Sequence, residues 1–176
     1  QFMLAWLQPN AKGQLVTSPS TSPENAFYYG DRQTGVVSVA STMDIAIARD
    51  LFRNLEAAGK ELNIDAPFRR QVRAANDKLL PFQVGARGQL QEWSKDFEEV
   101  EPHHRHVSHL YALHPARDIS PLATPRLADA ARRTLELRGD DGTGWALAWK
   151  VNMWARLLDG DHAYRLFRNL LRLADR

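Results

Sequence analysis

The chain has 176 residues, 44% hydrophobic and 25% charged, which fits one ordinary globular segment with a buried core and contains no block of disorder. Its 23 basic and 21 acidic residues leave a net charge of +2, too little to argue for a nucleic-acid partner. There is no cysteine, which excludes disulfides and thiolate metal sites, and no run of ~18 apolar residues that would predict a membrane span.

The first predicted element is an apolar helix, Phe2-Met-Leu-Ala-Trp-Leu7, ended by Pro9. A turn-rich stretch follows over 10–25. It contains Thr17-Ser-Pro-Ser-Thr-Ser-Pro-Glu-Asn25, and a loop this long inside a domain is uncommon and often functional. Residues 33–40 alone have strand character, and their isolation predicts extended loop. Ser41 or Thr42 then caps a helix with Asp44 in its first turn. Ala48, Leu51, Phe52, Leu55, Ala58 and Leu62 recur along it at helical spacing. Asp65 is the predicted cap of the next helix, with Pro67 in its first turn, running to about Leu80.

Residues 82–101 read as loop, and a short helix is predicted over 106–113. Thr124 and Pro125 open a helix that runs through Leu137. A glycine-rich turn, Gly139-Asp-Asp-Gly-Thr-Gly144, leads into a helix over 145–158 whose apolar residues cover nearly every face. Such a helix is expected to be buried on all sides, as an inner helix of a two-layer helical arrangement. Gly160 breaks it, and Asp161 is the predicted cap of a last helix that continues to Arg176. Arg165, Arg168, Arg172 and Arg176 along that helix read as a solvated face. The fold class is all-α. The chain begins at Gln1 and stops in or just after a predicted helix, so the expectation is one segment, 1–176, truncated at both ends from a longer protein.

Four constellations carry chemistry. Glu24 stands between Pro23 and Asn25 in a loop stiffened by two prolines. A carboxyl held that way suits a catalytic acid, and a plain helix start is the alternative. Glu101-Pro-His-His-Arg-His-Val-Ser-His109 supplies fixed donors for sugar hydroxyls. Zinc held by His106 and His109 at i, i+3 is the rival reading, but no third ligand is evident, so no metal is assigned. Structural histidines are the other alternative. Gly139-Asp-Asp-Gly-Thr-Gly-Trp145 combines close backbone approach with an indole that stacks on sugar rings. It lacks the Gly-Lys-Ser/Thr of a phosphate loop, and a tight turn feeding a buried helix is its structural alternative. Gln89-Leu-Gln-Glu-Trp93 offers Glu92 and Trp93 to a sugar, with surface Glu and core Trp as the alternative.

Taken in order, Thr17-Ser-Pro-Ser-Thr-Ser-Pro-Glu-Asn25, Thr42-Met-Asp44 with Leu51-Phe52, Gln89-Leu-Gln-Glu-Trp93, His104-Arg-His-Val-Ser-His-Leu110, Gly142-Thr-Gly-Trp145 with Ala148-Trp-Lys150, and Trp154-Ala-Arg-Leu157 span nearly the whole chain. They resemble the inverting α-L-fucosidases of glycoside hydrolase family 95. The resemblance implies part of an (α/α)6 barrel and removal of terminal α-1,2-linked L-fucose from glycans with inversion, without a cofactor. It implies Glu24 as general acid and Arg105 and His106 as sugar ligands, with Trp93, His109 and Trp145 as further candidates. The implied partners are a fucosylated oligosaccharide and the remaining segments of the parent chain, with no nucleic acid and no membrane. The resemblance also implies an exported parent, periplasmic or secreted. The family's base residues, asparagines and an aspartate of an Asp-Gly-Asn motif, have no counterpart here and are expected outside 1–176. Ala146 stands where the family often has Ser. An α-L-galactosidase of the same family and a non-catalytic helical binding module are the alternatives.

Overall fold

A computed structural model describes residues 1–174; Arg176, the last of the basic residues noted above, lies outside them. Among the described residues there are six α-helices: α1 Phe2–Trp6, α2 Thr42–Glu61, α3 Ala66–Lys78, α4 Pro125–Arg138, α5 Gly144–Arg156 and α6 Gly160–Ala174, with a 3-10 turn at Ser108–Ala112.

The loops are more ordered than an all-α reading allows. Seven short strands, β1 Leu7–Pro9, β2 Leu15–Thr17, β3 Ser20–Thr21, β4 Phe27–Tyr29, β5 Gln33–Gly35, β6 Val37–Ser38 and β7 Glu98–Glu99, pair antiparallel as β1-β2, β3-β6 and β5-β4-β7. The stretch 33–40, expected as extended loop, holds two of them. Its isolation in sequence hid the partners, which lie at 20–21 and 27–29. The pairing folds residues 20–38 back on themselves, so the Glu24 loop has ladder pairs on both flanks.

Helix α2 stands between two cores. Ala46 joins Leu110, Leu113, Leu135, Leu147, Met153, Trp154 and Leu166 in one. Ile45, Ala48 and Phe52 join Leu7, Val16, Val72 and Leu79 in the other. Burying each of the Leu, Ile, Val, Phe and Met side chains contributes about 1.5–3 kcal/mol, which is what holds these short helices in place. α3 packs on α2, and α6 packs on α5 across a three-residue connection.

Three caps differ from expectation. Thr124, expected to cap α4, turns its hydroxyl to the Asp118 and Ser120 carbonyls instead of into the helix. Asp65 precedes α3 at φ 50°, its carbonyl accepting from the Arg69 N–H at 2.9 Å while its side chain makes no capping bond. α6 is capped by Asp159, whose Oδ1 accepts from the His162 backbone N–H at 3.0 Å, while Asp161 sits inside the first turn. Ser41 does cap α2, accepting from the Asp44 N–H at 3.3 Å. Nor is α5 covered all round: Ala146, Leu147, Lys150, Met153 and Trp154 turn inward as one helical stripe, while Trp145 is 47% exposed. The apolar count along α5 had hidden a buried lysine within that stripe.

Candidate functional site

The Glu24 loop is anchored at two carboxylates, the half-buried Asp44 and the buried Glu92. Asp44, in the first turn of α2, accepts from Ser20 Oγ at 2.6 Å and from Thr17 Oγ1 at 3.3 Å. Burial pushes its carboxyl above the ordinary value, and the hydrogen bonds from Ser20, Ser41 and Thr17 offset only part of that. Glu92 takes the other end, accepting from Ser22 Oγ at 2.5 Å and from Asn25 Nδ2 at 3.1 Å. Between these anchors Glu24 is held at φ 53°, in the left-handed region, with its side chain 60% exposed. A bulky residue in that conformation carries local strain and needs such over-determination.

Glu92 is the centre of a larger network. Its side chain is 2% exposed and receives the Arg138 guanidinium at 2.6 Å. Arg138, the last residue of α4, also donates to Glu99 at 2.7 Å and to the backbone carbonyls of Pro102 at 3.2 Å and His106 at 3.3 Å. Gly139 follows at φ 75°, a turn that a side chain would strain, and ends α4 there. Burial pushes the Glu92 carboxyl up, but His109, Arg138 and the hydrogen bonds from Ser22 and Asn25 outweigh it and hold the group below its ordinary value. His109 is itself depressed to about 4 by burial, so Arg138 supplies the standing positive charge at neutral pH.

The segment gripped by Arg138 delivers the second half of the site. Arg105 donates to the Glu24 carboxylate, and His106 Nε2 lies 3.4 Å from the same Oε2. Burial and the neighbouring His104 lower the His106 pKa, against the pull of Glu24, so its ring is neutral at pH 7. His104 stacks on His106 at 5.1 Å and reaches the Pro23 carbonyl at 3.4 Å. Its Nδ1 lies 3.1 Å from Glu101 Oε2, so both ring nitrogens face acceptors. Trp145 completes the rim, its ring 4.8 Å from that of His106.

Of the residues singled out from sequence, Glu24, Arg105, His106 and Trp145 therefore come together on one partly exposed surface, from segments up to 121 residues apart. Trp93 and His109 do not join that surface. Trp93 is 2% exposed and packs edge-on against Phe27 at 5.1 Å. His109 lies beneath, with Nδ1 3.4 Å from Glu92 Oε2. Neither presents a face to a ligand: the apolar Phe27 and Phe97 rings claim the indole, and the Glu92 network claims the imidazole. His106 and His109 thus turn to different partners, and among the described residues no three His, Asp or Glu side chains converge in a metal-holding group.

Two buried cations that hold the segments of this surface were not singled out from sequence. Arg138 ends an ordinary amphipathic helix and reads as a solvated charge. Lys150 lies within the Ala148-Trp-Lys150 motif, yet no role was assigned to it. It is 1% exposed, and its ammonium donates to the Gly139 and Asp141 carbonyls at 2.8 Å each, clamping the turn that leads to Trp145. Burial lowers its pKa, and the nearby Asp140 and Asp141 offset part of this. The available signal was its place in a stripe of otherwise apolar residues. A separate hollow of about 530 Å³ is lined by Phe27, Val36, Val37, Val39 and Phe97, with no carboxylate among its lining residues.

The family model "Glycosyl hydrolase family 95 catalytic domain" matches residues 1–176. Alpha-L-fucosidase 2 of Arabidopsis thaliana is 42% identical over 175 residues, covering 99% of this chain and 21% of that protein. Probable alpha-fucosidase A of Aspergillus niger is 30% identical over 159 residues, covering 86% of this chain and 20% of that protein. The chain spans about a fifth of the length of these curated relatives.

Proposed function

Because this chain belongs to glycosyl hydrolase family 95, we propose that the protein containing it hydrolyses terminal α-1,2-linked L-fucose from glycans with inversion at the anomeric carbon. The single observation carrying this reading is the convergence of Glu24, Arg105 and His106. An exposed carboxyl on an over-determined loop is paired there with fixed nitrogen donors. The relatives, named as α-fucosidases, supply the substrate class.

In the proposed reaction Glu24 holds a proton when substrate is bound and gives it to the departing glycosidic oxygen as the C1–O bond breaks. A water enters C1 from the opposite face, and a base takes its proton. Arg105 and neutral His106 hydrogen-bond the sugar hydroxyls, and the half-exposed Trp145 offers its face to the sugar ring. The base comes from outside 1–176. The paired helices α2–α3 and α5–α6 fit part of an (α/α)6 barrel, to which the rest of the protein contributes.

The test is release of L-fucose from 2′-fucosyllactose by the full-length protein and its Glu24→Gln variant. Loss of a general acid lowers turnover by about 10²–10⁴-fold while sugar binding persists. A fully active Gln variant, or a wild-type protein that releases no fucose, overturns the assignment.

A further inference from the structure

Glu24 and its neighbours are the exposed tip of a buried device. Ser22 and Asn25, the residues flanking Pro23-Glu24, both donate to Glu92, at 2.5 and 3.1 Å. The same carboxylate takes Arg138 at 2.6 Å, and Arg138 grips Glu99 and the carbonyls of Pro102 and His106. Segments 22–25 and 99–106, about 80 residues apart in sequence, are thus tied to one ion pair whose two side chains are 2% and 1% exposed. A buried pair is costly to desolvate, and an apolar pair of similar volume often serves stability as well or better. What an apolar pair cannot do is accept from two loop donors on one side while holding two carbonyls on the other.

We propose that Glu92, braced by Arg138, is the positioning residue that sets where the Glu24 carboxyl stands relative to the leaving oxygen. Glu92 touches no substrate; it acts by fixing the two bonds on either side of Glu24. The inference rests on Glu24 being the acid. A displacement of about 1 Å at a reacting group costs on the order of 10²-fold in rate, so loosening the loop reaches the chemistry without removing the acid.

The test compares two substrates of the full-length protein. An oxygen leaving group needs the proton from Glu24. The fluoride of an α-L-fucosyl fluoride departs as the anion when water attacks C1, without a proton. Glu92→Gln is expected to lower kcat on 2′-fucosyllactose by about 10–100-fold and on the fluoride by less than about threefold. Ser22→Ala removes one loop donor only and leaves the ion pair in place, so it carries the test if Glu92→Gln fails to fold. Its expected selective loss is about 3–10-fold, the worth of one hydrogen bond. The Glu24→Gln/Glu92→Gln double variant is expected to be no slower on 2′-fucosyllactose than Glu24→Gln alone, because both act through one group. Equal losses on both substrates in the Glu92 and Ser22 variants, with a selective loss in Glu24→Gln, overturn this inference alone. Equal losses in Glu24→Gln overturn the acid assignment and the inference with it.

Discussion

His109 makes the region beneath the site sensitive to acid. Its ring is 1% exposed, and burial depresses its pKa to about 4 from an ordinary 6.5, with Glu92 pulling the other way and Arg138 and His104 adding to the depression. Above pH 6.5 the ring is neutral whether the segment is closed or open, so it contributes no pH dependence there. Between pH 6.5 and about 4 the open form takes a proton that the closed form refuses, so stability falls with falling pH across that window. At about 1.4 kcal/mol per tenfold change, the full loss is roughly 3 kcal/mol at pH 4, and at pH 5.5 opening is about tenfold more frequent than at pH 7. Glu92 acts in a lower window: its depressed pKa contributes stability above the ordinary carboxylate value that is lost as pH falls below it. The assay is hydrogen–deuterium exchange of peptides spanning 104–112 in the full-length protein. It is run at pH 7, 5.5 and 4.5 and corrected for intrinsic exchange rates, with His109→Gln as the non-titrating control. The wild-type segment should lose protection more steeply from pH 7 to 4.5 than the variant, which keeps only the smaller acid sensitivity of His106. The same pH slope in both proteins would refute the reasoning.

The other predictions concern single side chains. Lys150→Met removes two charge-assisted hydrogen bonds to Gly139 and Asp141; partly offset by the lower desolvation cost of Met, the net loss is about 2–3 kcal/mol, read as faster exchange over 139–144. Glu24→Gly relieves the left-handed conformation at φ 53° and should raise stability to urea by about 0.5–1 kcal/mol while abolishing fucose release. Trp93→Ala, which empties the space against Phe27 and Phe97, should cost about 3–5 kcal/mol in urea unfolding. Trp145→Ala should leave that midpoint nearly unchanged and raise KM by roughly 2–10-fold, the worth of one aromatic contact.

Local information in the chain settled the helices and much of the site. The apolar spacing along 42–62, Pro67 and Pro125 in their first turns, and Gly139 and Gly160 at breaks all act within a few residues, and the observed helices follow them. The clustered His/Arg segment and the proline-held Glu24 were also legible, because unusual residue types in close spacing stand out without any partner. Tertiary structure alone decided what those residues meet. The strands at 33–38 exist because residues 20–21 and 27–29 pair with them, which no local signal encodes. Asp159 displaces Asp161 as cap because chain direction at the α5–α6 turn, rather than residue type, aims the carboxylate. Arg138, Lys150 and His109 look like surface charges or donors in a linear reading. They are buried because Glu92, two turn carbonyls and a packed interior receive them, and burial is a property of the neighbours that folding brings, not of the residue itself.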